Sequence, residues 1–242
     1  MEHARLLRSE APGIGAYKMF VILKAIFLDA MPGRDRFYEI INKNGLMLKP
    51  ERRRHTTNSN HNYRKYSNLI KDLVVGCPNH LWVADITYID TDEGVVYLHL
   101  LTDAWTHEII GWVLSDSLMA ANTIAALRMG IEHNKGADLS GLIHHSDRGS
   151  QYCSNAYVDM LKSINAAISM TEDYKPTDNA IAERVNGIIK QEWLYRMKRP
   201  ENLDEARRII SGIIDFYNNK RPHMNNGMKT PVQKRLEYNK TA

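Results

Sequence analysis

The sequence predicts an α/β fold, one mixed five-stranded sheet flanked by helices, behind a small N-terminal segment that is all helix. Three observations predict it. Runs rich in β-branched and aromatic residues follow one another between Leu81 and Leu114, as strands do. Beyond them, helical and strand patterns alternate as far as Trp193, the layout of a sheet covered by helices. The first 50 residues repeat their apolar positions at helical spacing alone.

Taken in order, Ala16, Met19, Phe20, Leu23 and Ile26–Phe27 recur at helical spacing. A second helix is expected from Asp35 to Asn44, with Phe37, Ile40 and Ile41 on one face and Gly45 as its stop. Two short helices closing at Gly45-Leu46 fit a helix-turn-helix and a plain helical hairpin equally well. Lys49 to Asn68 is poor in aliphatic residues and carries Arg52, Arg53, Arg54, Arg64 and Lys65, with Tyr63 and Tyr66 interleaved. It reads as an extended basic linker suited to a phosphate backbone. Leu81 to Ile89, Val95 to Thr102 and Glu108 to Leu114 make an antiparallel meander, turned first at Asp92-Glu93-Gly94. A helix over Asn122–Asn134, a short buried strand over Gly141–His145 and a helix over Tyr157–Ile164 follow. A strand over Ala167–Met170 and a long helix over Asp178–Trp193 complete the core. The expected division is 1–48 helical, 49–78 basic linker, 79–198 α/β core and 199–242 basic helical extension.

Composition excludes several classes. Of the 242 residues 43% are hydrophobic and 25% charged, which rules out a disordered or collagen-like chain. Two cysteines, Cys77 and Cys153, give neither a disulfide framework nor a CxxC zinc pattern, and they fit a reducing cytoplasm. The longest apolar run, Met19 to Phe27, is broken by Lys24 and is too short to span a bilayer, so no membrane role is expected. The net charge of +4 conceals a division: residues 1–80 carry +7, residues 81–175 carry −8 and residues 176–242 carry +5. Basic flanks around a carboxylate-rich centre suit a polyanion gripped from both sides, though chance partition of surface charge gives the same pattern.

Three acids stand where an apolar pattern would not put them. Asp85 lies in mid-strand, where Asp is disfavoured, on the same face as Val83 and Thr87. Asp147 ends the short fourth strand, where an open α/β sheet presents its crevice. Glu183 lies in the second turn of the last core helix. On that helix Ile181, Val185 and Ile188 fall opposite Glu183 and are expected to pack on the sheet, while Lys190 shares its stripe and Asn186 lies beside it. Each acid alone has an ordinary explanation as a turn former, bulge residue or solvated side chain. Together they would bind a hard divalent cation through oxygen, and two such ions can drive an in-line phosphoryl displacement. His144 and His145 lack a third nitrogen or sulfur donor, which weakens a zinc reading. One is expected to pack against the strand, and the other could approach the metal edge.

Trp82-x-x-Asp85-Ile-Thr-Tyr-Ile, His144-His-Ser-Asp147-Arg-Gly-Ser-Gln-Tyr152 and Asp178-Asn-Ala-x-Ala-Glu183-Arg resemble the integrase-core signature of bacterial insertion-sequence transposases. These belong to the retroviral integrase superfamily, whose fold is RNase H-like. Thirty-five residues separate Asp147 from Glu183, the interval in the family's D,D(35)E name. The likeness runs from about Leu81 to the tail, where Tyr217-Asn-Asn-Lys-Arg221-Pro-His223 and Thr230-Pro231 also match. Pro12-x-Ile14-Gly15, Gly33-Arg-Asp-Arg36 and Gly45-Leu46 are similar to the helical segment of its second-reading-frame product. The resemblance implies that Asp85, Asp147 and Glu183 are catalytic and hold Mg2+ or Mn2+, as two ions. It implies cleavage and strand transfer of DNA by direct transesterification. Lys190 matches a helical lysine near terminal DNA, and Asn186, Arg184, Arg52, Arg53, Arg54, Arg64 and Lys65 are the further expected DNA contacts. Double-stranded DNA at the element ends and target, a homo-oligomer on DNA, and an upstream-frame helix-turn-helix protein are the implied partners, in a bacterial cytoplasm at the nucleoid. The chain departs from the family at Thr171–Pro176, which is acidic where a glycine-containing loop is usual. Asp103 matches a family acid outside the triad and reads as structural. An RNase H-like nuclease that does not join DNA, and an inactive DNA-binding regulator, are the alternatives. A covalent tyrosine or serine recombinase is disfavoured, since no Arg/His cluster brackets a tyrosine.

Overall fold

The computed structural model describes residues 1–48, 64–172 and 179–241. Among them the strands are β1 (Leu81–Thr91), β2 (Gly94–Asp103), β3 (Ile109–Ser115), β4 (Ile143–Ser146) and β5 (Ala167–Met170). They form one sheet in the order β3-β2-β1-β4-β5. The first three make the expected antiparallel meander, and β4 and β5 extend it in parallel from the other edge of β1. The mixed α/β sheet read from the sequence is the sheet observed.

Period-2 alternation along β1 sorts its side chains onto two faces. Trp82 and Ala84 enter a core with Leu101, Leu127, Tyr152 and Tyr157, whereas Leu81 and Val83 meet Ala182 on the opposite face. On the first face lie α4 (Ala120–His133), α5 (Ser150–Cys153) and α6 (Asn155–Ser163). The approach of α4 to β3 is close: a Cβ on Gly111 would stand 2.1 Å from the Ala126 carbonyl oxygen, so only glycine fits there. The second face carries α7 (Ala180–Glu192), followed by α8 (Leu203–Asn219) and α9 (Pro231–Thr241). The four-residue α5 is too short for any periodicity to announce it. The expected start of the long helix at Asp178 lies outside the described residues.

At the N-terminus are α1 (Glu2–Glu10), α2 (Ala16–Phe27) and α3 (Arg34–Lys43). Their apolar positions Leu7, Met19, Leu23, Phe37 and Ile41 share one core with Val185, Ile189 and Trp193 and with Ile210, Ile214 and Tyr217 of α8. Charge closes the same junction. Glu192, the last residue of α7, accepts from Arg221 through both oxygens at 2.7 and 2.8 Å and from Lys18 of α2 at 3.1 Å. Ser67 and Leu69 dock along β5: Met170 N donates to the Ser67 carbonyl (3.3 Å), and Leu69 N donates to Ser169 Oγ (2.9 Å). Among the described residues no helix is long and apolar enough to cross a membrane.

Candidate active site

The register of β1 against β4 brings two of the three singled-out acids together. Val83 pairs with His145 in parallel, and β4 ends one residue later at Ser146. Continuing that register sets Asp85 level with Asp147 on one face, where neighbouring strands lie about 4.8 Å apart. Both are half-buried. Asp85 accepts from the Ile86 N–H through Oδ1 at 2.9 Å and from Asn186 Nδ2 through Oδ2 at 2.7 Å. Asp147 accepts the Gly149 N–H through Oδ1 at 2.8 Å. Desolvation first, and the Asp147 charge second, push the Asp85 carboxyl from its ordinary 3.8 up to about 7, against those two hydrogen bonds. Glu183 adds the smallest of the upward pushes.

Glu183 is exposed on α7. Among the described residues no three His, Cys, Asp or Glu side chains gather closely enough to hold an ion together. The chain thus presents a pair of aspartates, with the third acid acting on them from longer range.

The buried side of α7 differs from the expected one. Ala182, Val185, Asn186 and Ile189 are buried, while Ile181 and Ile188 are only half-covered. The small Ala182 lets the helix approach β1 closely, and two asparagines fasten it there. Asn179 Nδ2 donates to the Ala84 carbonyl (3.0 Å), and Asn186 holds Asp85. Asn186 is 6% exposed, which corrects its reading as a DNA contact: its amide is enclosed and turned to the carboxylate. The sequence carried a signal for this pair, two amides seven residues apart on the stripe that contains Ala182.

The remaining expected residues divide by exposure. Arg184, Arg64 and Lys65 are exposed, with Arg64 over the Tyr66 ring at 5.3 Å. Lys190 is half-buried, and desolvation lowers its pKa against the pull of Asp85 and Asp90. Arg52, Arg53 and Arg54 lie outside the described residues. His144 and His145 are both buried, bonded to Tyr157 Oη (2.9 Å) and Ser169 Oγ (2.8 Å), so both belong to the packed interior. Asp103 is structural as read: its carboxylate takes the N–H groups of Asn79, Trp105 and Thr106 and the Thr106 hydroxyl.

Residues 76–176 match the family described as "Integrase core domain", and residues 165–231 match a second family of the same description. The 31 kDa protein of insertion element IS600 from Shigella sonnei is 37% identical over 213 residues, covering 87% of this chain and 77% of that protein. The chain belongs to the integrase-core family of bacterial insertion-sequence transposases.

Other members compare similarly. The IS904 transposase of Lactococcus lactis is 29% identical, with 86% of this chain and 90% of that one covered. The IS629 transposase of Shigella sonnei is 34% identical, but this integrase-core chain spans only 55% of its length. In fold, the HTLV-2 integrase catalytic core domain superposes with a TM-score of 0.50 at 22% identity, covering 66% of this chain and 97% of that one. A chain of the simian T-cell lymphotropic virus intasome superposes with a TM-score of 0.57 at 18% identity, covering 96% and 74%. At these identities the likeness is one of fold, the RNase H-like integrase core.

Proposed function

We propose that this chain is the DNA transposase of a mobile element, cutting and joining phosphodiester bonds with Asp85, Asp147 and Glu183 and a divalent cation. The observation that carries this reading is the aspartate pair: continuing the β1–β4 register sets two carboxylates level on one face, and the charge of Asp147 pushes the Asp85 carboxyl up. An all-oxygen donor set fits a hard cation such as Mg2+ or Mn2+. Asp85 and Asp147, joined by Glu183, would hold it, in the full form of the reading as two ions, and it would supply positive charge for an in-line phosphoryl displacement.

The chain's other residues prepare that site. Asn186 and the Ile86 N–H fix the Asp85 carboxylate, and the Gly149 N–H fixes Asp147, so little reorganisation remains when DNA arrives. Lys190 and Arg184 on α7, with Arg64 and Lys65 at the linker's end, are the cations we assign to the DNA backbone, where contacts give affinity without sequence choice. Duplex DNA at element ends and target, a homo-oligomer on that DNA, and an upstream-frame helix-turn-helix protein complete the proposal. Family membership favours it over a nuclease that only hydrolyses and over an inactive regulator.

Asp147→Asn tests it. The variant is expected to lose cleavage and strand transfer of an element-end duplex while binding DNA as well as the wild type or better, since a repelling charge is gone. Full strand transfer by this variant sinks the assignment. Product analysis for joined 3′-hydroxyls separates transposition from hydrolysis alone.

A further inference from the structure

Tyr152 is 2% exposed, and its hydroxyl has no hydrogen-bond partner among the described residues. Its ring is fixed by its neighbours, edge-on to Tyr157 at 5.5 Å and tilted against His144 at 6.4 Å. Tyr157, packed in the same cluster, shares a hydrogen bond between its hydroxyl and His144 Nε2 at 2.9 Å. One buried phenol of the pair is therefore satisfied and the other is not. A buried hydroxyl left without a partner is costly, and native folds rarely keep one without a use for it.

What surrounds Tyr152 suggests the use. Asp147 and then Asp85 are the leading charges acting on its hydroxyl. Gly149 stands between the two side chains: a Cβ built on it would lie 2.9 Å from Asp147 Oδ1 and 3.6 Å from Tyr152 Cδ2. We infer that Tyr152 is a positioning residue of the cation site, its hydroxyl donating a hydrogen bond to the Asp147 carboxylate when that carboxylate holds a divalent ion. The inference rests on the reading of Asp85 and Asp147 as cation ligands. Ligating carboxylates are themselves hydrogen-bonded, which orients them and keeps them ionised. An ionised carboxylate is also the strongest acceptor a phenol can meet.

Mn2+ titrated into the full chain without DNA, followed by calorimetry and by thermal unfolding, tests this. Tyr152→Phe removes one oxygen atom and keeps the ring. It is expected to leave the ion-free melting temperature unchanged or higher and to weaken Mn2+ affinity by about tenfold or more. Tyr157→Phe, which breaks a satisfied bond, should lower the melting temperature and leave Mn2+ affinity alone. If Tyr152→Phe binds Mn2+ like the wild type while Asp147→Asn does not, the role of Tyr152 is overturned and the site stands. If the wild type binds no Mn2+, both fall. A loss of ion-free stability in Tyr152→Phe equal to that in Tyr157→Phe, with unchanged affinity, makes Tyr152 merely structural and also overturns the inference.

Discussion

Gly149 has ordinary dihedrals (φ −60°, ψ 145°), so backbone freedom is not why it is glycine. Crowding is the reason, because a Cβ would press on Asp147 Oδ1 at 2.9 Å and on Gln151 Oε1 at 3.0 Å. Gly149→Ala should therefore displace the carboxylate by a few tenths of an ångström and lower the cleavage rate about tenfold or more, with a modest loss of stability. Single-turnover cleavage beside a melting curve checks this; wild-type cleavage would exclude the crowding account. Burial also sets the response to acid. Desolvation holds His99 down to about 4, His144 to about 3 and His223 to about 2, and it lowers His107 as well. These rings fold neutral, so the unfolded chain takes up their protons as pH falls through the ordinary 6.5. Asp85 and Asp103 act in the opposite sense, since their raised values make them take up protons on folding. The four histidines outnumber the two acids. Stability is expected to be full above pH 6.5 and to decline as pH drops toward 5, as read from urea unfolding across that range; a flat profile would refute it. Asp85 and Asp147 were legible in the sequence because charge in a strand or at its end breaks an apolar pattern. The orphan hydroxyl of Tyr152 was not, since only packing reveals whether a phenol has found a partner.

The strands, α2 and α3 were legible because each buries one face and so keeps a period. Ala167–Met170 was even bounded correctly. The roll of α7 was not legible. Two apolar stripes compete on it, Ile181/Val185/Ile188 and Ala182/Val185/Ile189, and side-chain bulk alone favours the first. The observed choice follows from fit, since the alanine admits β1 and Asn186 reaches Asp85 only in that roll. Glu192 anchors the other end of the helix. Its side chain is 14% exposed and its partner Arg221 is 3% exposed, so Glu192→Gln leaves two poorly hydrated cations opposing each other. Breaking such a buried pair costs about 3–5 kcal/mol, a fall in melting temperature of about 10 °C for a chain of this size. Calorimetry reads it, and a shift below about 2 °C would mean that solvent already serves these charges.

At the scale of the whole molecule, the apolar residues of α1, α2 and α3 do not close a core among themselves. They share it with the end of α7 and with α8, and Lys18 and Arg221 meet on one carboxylate from opposite parts of the chain. Sequence patterns locate α2 and α3 but do not announce this sharing, because contacts between residues as far apart as Lys18 and Glu192 leave no local period. Deleting residues 1–48 should accordingly expose the Val185, Ile189 and Trp193 surface and yield an aggregating core, whereas an independent segment would leave a soluble one; light scattering of the truncated protein distinguishes the two. The junction also has a temporal meaning. Asp85 and Asp147 leave the ribosome well before α8 and Arg221 can seat the helix whose Asn186 holds Asp85. On the proposed reading, a nascent chain cut short before α8 would carry the aspartate pair with the helix that holds Asp85 not yet seated.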